Sequence, residues 1–128
     1  MEKTKDYKFP FEKLKVWQIA RELSINIYRA TSQFPNEEKF GLTNQVRRAA
    51  VSVMSNLAEG SGRRSRKDHA HFSQLAYGSL LETACQLQLA RDLEFISENI
   101  FMRLAQEMRS LSALINALHR SQLDRSEE

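Results

Sequence analysis

The sequence predicts an all-α protein, an antiparallel up-down-up-down four-helix bundle. Three observations carry this. Apolar residues recur every three or four positions through four long segments, the spacing that gathers them on one face of a helix. Helix breakers are scarce: the 128 residues include four glycines and two prolines, and Pro10 and Pro35 lie at the edges of periodic segments. The connections are short, so consecutive helices must turn back on one another. The chain is expected to form one domain, 1–128, whose core needs neither disulfide nor metal, with flexible ends at 1–10 and 121–128.

Pro10 and Phe11 lead into a first helix expected over Glu12 to Ser32, with Leu14, Trp17, Ala20, Leu23 and Ile27 on its inner face and Phe34 at its exit. Ile25 and Tyr28 lie off that stripe. Asn36 is the expected N-cap of a second helix ending near Glu59, with Glu37 and Glu38 at its positive end and Gly41 a local weakness. Its inner face is Leu42, Val46, Ala49, Ala50, Val53 and Leu57. Gly60-Ser61-Gly62 closes it through the left-handed conformation that glycine tolerates.

Ser65 and Asp68 match the Ser-x-x-Asp form of a capping box, which starts a third helix at Arg66 that runs to about Leu93. Phe72, Leu75, Ala76, Leu80, Thr83, Leu87 and Ala90 form its expected core face, and Cys85 reads as a small apolar filler. Ser97 caps a fourth helix from Glu98 whose face is Ile100, Leu104, Met108, Leu111, Leu114, Ile115 and Leu118. Charged residues return from His119 onward, where fraying is expected.

Function is harder to read. The formal charge of +3 is modest, but Arg47, Arg48, Arg63, Arg64, Arg66 and Lys67 fall in one short region with Glu59 as the main acidic counterweight. Arg48, Ser52, Asn56 and Glu59 share roughly one side of the second helix. If that helix and the third form a hairpin turning near Arg63, Ser52 faces the region of Gln74 and Arg48 faces Gly78, Ser79 and Glu82. An Arg48–Glu82 pair is therefore expected, with Gly78 allowing close backbone approach. The stripe is read as a structural polar network fixing register rather than as a ligand or catalytic site, because partly buried Arg-Glu pairs commonly specify packing.

The runs FEKLKVWQIARELSINIYRATSQFP, GLTNQVRRAAVSVMSNLAEGSGR and FSQLAYGSLLETACQLQLARDLEFI occur in that order. Together they resemble the four-helix-bundle proteins encoded in intervening sequences of bacterial 23S ribosomal RNA genes. The resemblance implies an antiparallel bundle that assembles as a homopentamer. RNA or other nucleic-acid binding is the role usually suggested, and similar bundles serve as accessory proteins beside reverse transcriptases in diversity-generating retroelements. The motif residues carried over are Arg47, Arg48, Ser52, Asn56, Glu59 and Gly60, with Gly78, Ser79 and Glu82 on the third helix. The family lends none of them a catalytic role.

On this reading Arg63, Arg64, Arg66, Lys67 and Arg47 are the nucleic-acid-binding candidates, since cations converging on one surface supply salt-sensitive phosphate contacts. Ile25, Tyr28, Tyr77 and Leu81 are the candidates for subunit contacts, with Trp17 better placed in the core. His69 and His71 point about 200° apart on a helix, which does not suit a shared metal, so no metal or cofactor is expected. No G-x-S-x-G elbow, phosphate loop or His-Asp arrangement accompanies Ser52, Ser79, Glu59 or Glu82, so no enzyme activity and no small-molecule substrate are expected. With Cys85 the sole cysteine and no apolar run near the roughly 20 residues of a membrane span, a cytoplasmic protein is expected. The competing class is a structural or protein-interaction module with no nucleic-acid role.

Overall fold

A computed structural model of the chain describes residues 8–126. Among them the long elements are α1 over Lys15–Thr31, α2 over Leu42–Ser61, α3 over Arg66–Asp92 and α4 over Glu98–Ser126. Short 3-10 turns at Pro10–Lys13 and Asn36–Glu38 precede α1 and α2. Each helix packs on its neighbour in sequence and α4 closes back on α1, whereas α1 and α3 stand on one diagonal and α2 and α4 on the other, without contact. The molecule is thus an antiparallel four-helix bundle.

Its centre is filled by Leu23 and Ile27 of α1, Val46 and Val53 of α2, Leu80 and Leu87 of α3, and Leu111 and Ile115 of α4. Each such side chain contributes about 1.5–3 kcal/mol when fully buried, which makes these faces the main source of stability. Val16 and Phe101 are buried beside them, while Leu75 and Leu114, expected in the core, are 41% and 40% exposed. Cys85 is exposed rather than an apolar filler, because it lies on the outward side of α3.

The helix ends depart from expectation where a neighbouring residue competes for the backbone. Pro10 opens a 3-10 turn, and Leu14, in extended conformation, resets the chain so that α1 starts at Lys15 instead of Glu12. Asn36 heads a separate 3-10 turn and does not cap α2. The cap position belongs to Gly41, and the Leu42 N–H donates to Glu38 Oε1 at 3.0 Å, so the glycine stands outside the helix interior.

At the other end α2 continues through Gly60 to Ser61, and Gly62 has φ −93°. No glycine among the described residues adopts positive φ. Gly60 is needed for space instead: a Cβ there would stand 2.7 Å from Phe72 Cβ on α3. The left-handed residue is Glu94, with φ 63°. There Phe95 N–H donates to Ala90 O and Glu94 N–H to Arg91 O, the paired bonds that close α3.

Ser65 caps α3 by accepting from Asp68 N–H, and Ser97 caps α4 by accepting from Ile100 N–H, both as expected. Helix α4 continues to Ser126, so 120–126 is helical where fraying is expected. Of the ends expected to be flexible, 1–7 and 127–128 lie outside the described residues. No helix among the described residues is long and apolar enough to cross a membrane.

Candidate nucleic-acid interface

The polar stripe of α2 forms only in part. Ser52 Oγ and Ser79 Oγ share a hydrogen bond of 2.8 Å between α2 and α3, and Asn56 Nδ2 donates back to Ser52 O and Oγ. Ser24 of α1 adds a second interhelical link, donating to Ala50 O at 3.3 Å. Arg48 is exposed and makes no hydrogen bond or ion pair among the described residues, so the expected Arg48–Glu82 pair is absent. Glu82 accepts instead from Gln86 Nε2 on its own helix.

Register does not separate the two, since Arg48 stands level with Thr83, next to Glu82, and both side chains are exposed without pairing. The register itself differs from expectation. Gln45 meets Gln86, Ser52 meets Ser79 and Gly60 meets Phe72, so the hairpin turns about Ser65 rather than Arg63, and Ser52 does not face Gln74. A Cβ on Gly78 would touch nothing within 4 Å, so the close approach assigned to Gly78 belongs to Gly60.

That approach shapes the turn. With α2 and α3 in contact at Gly60 and Phe72, Arg63 is drawn back over its own helix. Its Nη2 lies 2.9 Å from Glu59 Oε2 and its guanidinium stacks 4.7 Å from the Phe72 ring. The His69 ring Nε2 meets Arg63 O and fixes the loop from the α3 side. Glu59 is therefore spent on Arg63 and stands apart from the Ser52–Asn56–Ser79 group. The remaining cations of the turn, Arg64, Arg66 and Lys67, are exposed and carry no ion pair among the described residues.

Arg47 does not join them. It lies 16 residues before Arg63, about 24 Å along the helix axis at 1.5 Å per residue. Its Nε donates to Thr31 Oγ1 at 2.8 Å and its Nη2 to Tyr28 O at 3.2 Å, with the guanidinium 4.5 Å from the Tyr28 ring. Arg47 thus clamps the C-terminal carbonyl end of α1, where a cation is favoured.

The expected contact residues are divided between α1 and α3, on a diagonal of the bundle. Ile25 is half-buried, Tyr28 is 44% exposed under Arg47, Tyr77 packs against the core and Leu81 is 52% exposed. Trp17 is half-buried, edge-on to Phe11 at 4.7 Å. Leu75, expected in the core, and Leu89, given no role by the sequence, join Leu81 on the outer face of α3. Between α3 and α4 a cavity of about 460 Å³ is lined by Leu80, Ala84, Phe101 and Met108.

A second cavity, of about 420 Å³, opens at the basic end, where Arg64, Arg66 and His69 meet the C-terminal turns of α4. Ser121 and Gln122 of α4 help to line it. They fall in the stretch expected to fray, although the spacing of Leu111, Ile115 and Leu118 continues to Gln122. No group of three or more His, Cys, Asp or Glu side chains able to hold a metal ion occurs among the described residues.

The profile of the 23S rRNA-intervening sequence protein family matches residues 12–117. The crystal structure of a protein of unknown function from the S23 ribosomal protein family of Bacteroides thetaiotaomicron superposes with a TM-score of 0.73 at 20% identity, covering 81% of this chain and 97% of that one. That likeness concerns the fold. Comparison with curated proteins finds no match.

Proposed function

The chain belongs to the 23S rRNA-intervening sequence protein family, and on that premise we propose that it is a non-enzymatic, self-associating, cytoplasmic bundle that binds RNA or DNA through the turn between α2 and α3. The observation that carries the reading is the set of Arg64, Arg66 and Lys67, exposed and free of ion pairs at one end of a rigid hairpin. Arg63 is the weaker contributor, because Glu59 offsets its charge at 2.9 Å. Arg47 has a structural part, committed to Thr31 and Tyr28. Exposed aromatic residues do not interleave with the turn, so backbone phosphate is the expected target and base stacking is not.

Self-association, part of the same proposal, would strengthen such binding. A basic turn repeated around a closed ring multiplies a weak single contact, and the apolar outer face of α3 supplies a surface for a second copy. The test is RNA affinity as a function of salt. Changing Arg64, Arg66 and Lys67 together to alanine should weaken binding and reduce the slope of log affinity against log salt by roughly 2, at about 0.7 per single-strand phosphate contact. Arg47→Ala should leave that slope unchanged. Equal affinity and slope for the triple variant and the parent protein would remove the turn as the binding surface.

A further inference from the structure

The cavity at the basic end is divided chemically. Leu14, Leu57 and Leu118 give it apolar lining and Arg64, Arg66 and His69 basic lining, and among the described residues no carboxylate lines it. Its volume of about 420 Å³ falls within the range, roughly 300–1,000 Å³, of small-molecule sites.

The polar groups of the wall are set in place by bonds that leave ligand-binding capacity over. Ser73, 3% exposed, donates its hydroxyl to Gln122 Oε1 at 2.7 Å, which ties α3 to α4 and leaves the Gln122 amide nitrogen as a donor. Asn56 Nδ2 donates to Ser52, which leaves Asn56 Oδ1 as an acceptor. Arg64 and Arg66 supply planar, permanently charged forks, the side chains best matched to a phosphate dianion.

We propose that this cavity binds a phosphomonoester of nucleoside size, its phosphate on Arg64 and Arg66 and its organic body against Leu14, Leu57 and Leu118. The ligand has two possible sources, a free nucleoside 5′-monophosphate and the 5′-phosphorylated end of a strand. The inference deepens the nucleic-acid reading and rests on it for the second source only.

The test titrates the full chain with AMP and with adenosine, then with a short RNA carrying either a 5′-phosphate or a 5′-hydroxyl. AMP should saturate the protein and bind about tenfold or more tightly than adenosine, since hydrogen bonds to a charged group separate them. Arg64→Ala with Arg66→Ala should abolish that preference. Ser121→Phe, which fills the cavity from an exposed position and leaves both arginines, should abolish AMP binding while leaving salt-dependent binding of 5′-hydroxyl RNA intact. A 5′-phosphate preference lost in Ser121→Phe assigns the strand end, and AMP binding without that preference assigns the free nucleotide. Absence of saturable AMP binding in helical, folded protein overturns the proposal, as does AMP binding untouched by Ser121→Phe. AMP binding in a protein with no RNA affinity would overturn only the nucleic-acid reading.

Discussion

Gly60 shows how one residue sets the geometry of the basic turn. It is buried, and an added Cβ would stand 2.7 Å from Phe72 Cβ, an atom held by its own backbone and unable to swing aside. Gly60→Ala should therefore force α2 and α3 apart at a cost of about 1–3 kcal/mol. The opposing gain in helix propensity is smaller, about 1 kcal/mol. Urea unfolding should show a lower midpoint for Gly60→Ala and none of this loss for Gly62→Ala, whose Cβ would meet its nearest atom at 3.7 Å. A midpoint at or above that of the parent protein would mean that packing does not set the approach. The sequence shows glycines at both Gly60 and Gly78 without telling which is confined, because confinement depends on a helix crossing that one helix's periodicity cannot reveal. Arg48 and Glu82 show a different limit: the hairpin sets them nearly level, yet both side chains stand exposed and do not pair, which helix faces alone do not reveal.

At the scale of the element, α4 is legible because most of its apolar residues keep to one side, Leu114 being the exception among those expected in the core, and Ser65 and Ser97 are legible because a cap is a local bond. Helix α3 is less so, since Leu75, Leu81 and Leu89 lie outward while Leu80 and Leu87 lie inward, and spacing alone does not say which side meets the core. Its C-terminus hides another feature. Glu94 holds φ 63° with no glycine to announce it, a conformation costing an L-residue on the order of 1–2 kcal/mol. Glu94→Gly should consequently raise stability by about 1 kcal/mol, the strain relieved exceeding the added freedom of the unfolded chain. Glu94→Ala keeps the strain and should give no such gain. Thermal unfolding of the two variants side by side checks this, and equal melting temperatures would dissociate stability from the left-handed position.

For the whole molecule, the open question is what covers the outer face of α3. Leu75, Gly78, Leu81, Cys85 and Leu89 fall within one arc of that helix, and the four of them with side chains are all exposed. Gly78 costs the helix about 1 kcal/mol relative to alanine. No packing contact among the described residues offsets that, since beyond its own stretch of helix none of their atoms lies within 4 Å of where its Cβ would be. Close approach by the backbone of a second copy would account for both the glycine and the leucines around it. The protein should then scatter light as a closed oligomer, with five times the 14.8 kDa chain mass as the assembly the resemblance implies. Leu81→Glu with Leu89→Glu should disperse it by placing repelling, poorly solvated charges in the seam. Because a ring presents several basic turns to one polyanion, the dispersed variant should also lose RNA affinity although Arg64, Arg66 and Lys67 are untouched. A parent protein that scatters as a monomer would sink the seam, whereas an oligomer that survives both substitutions would move it to another face.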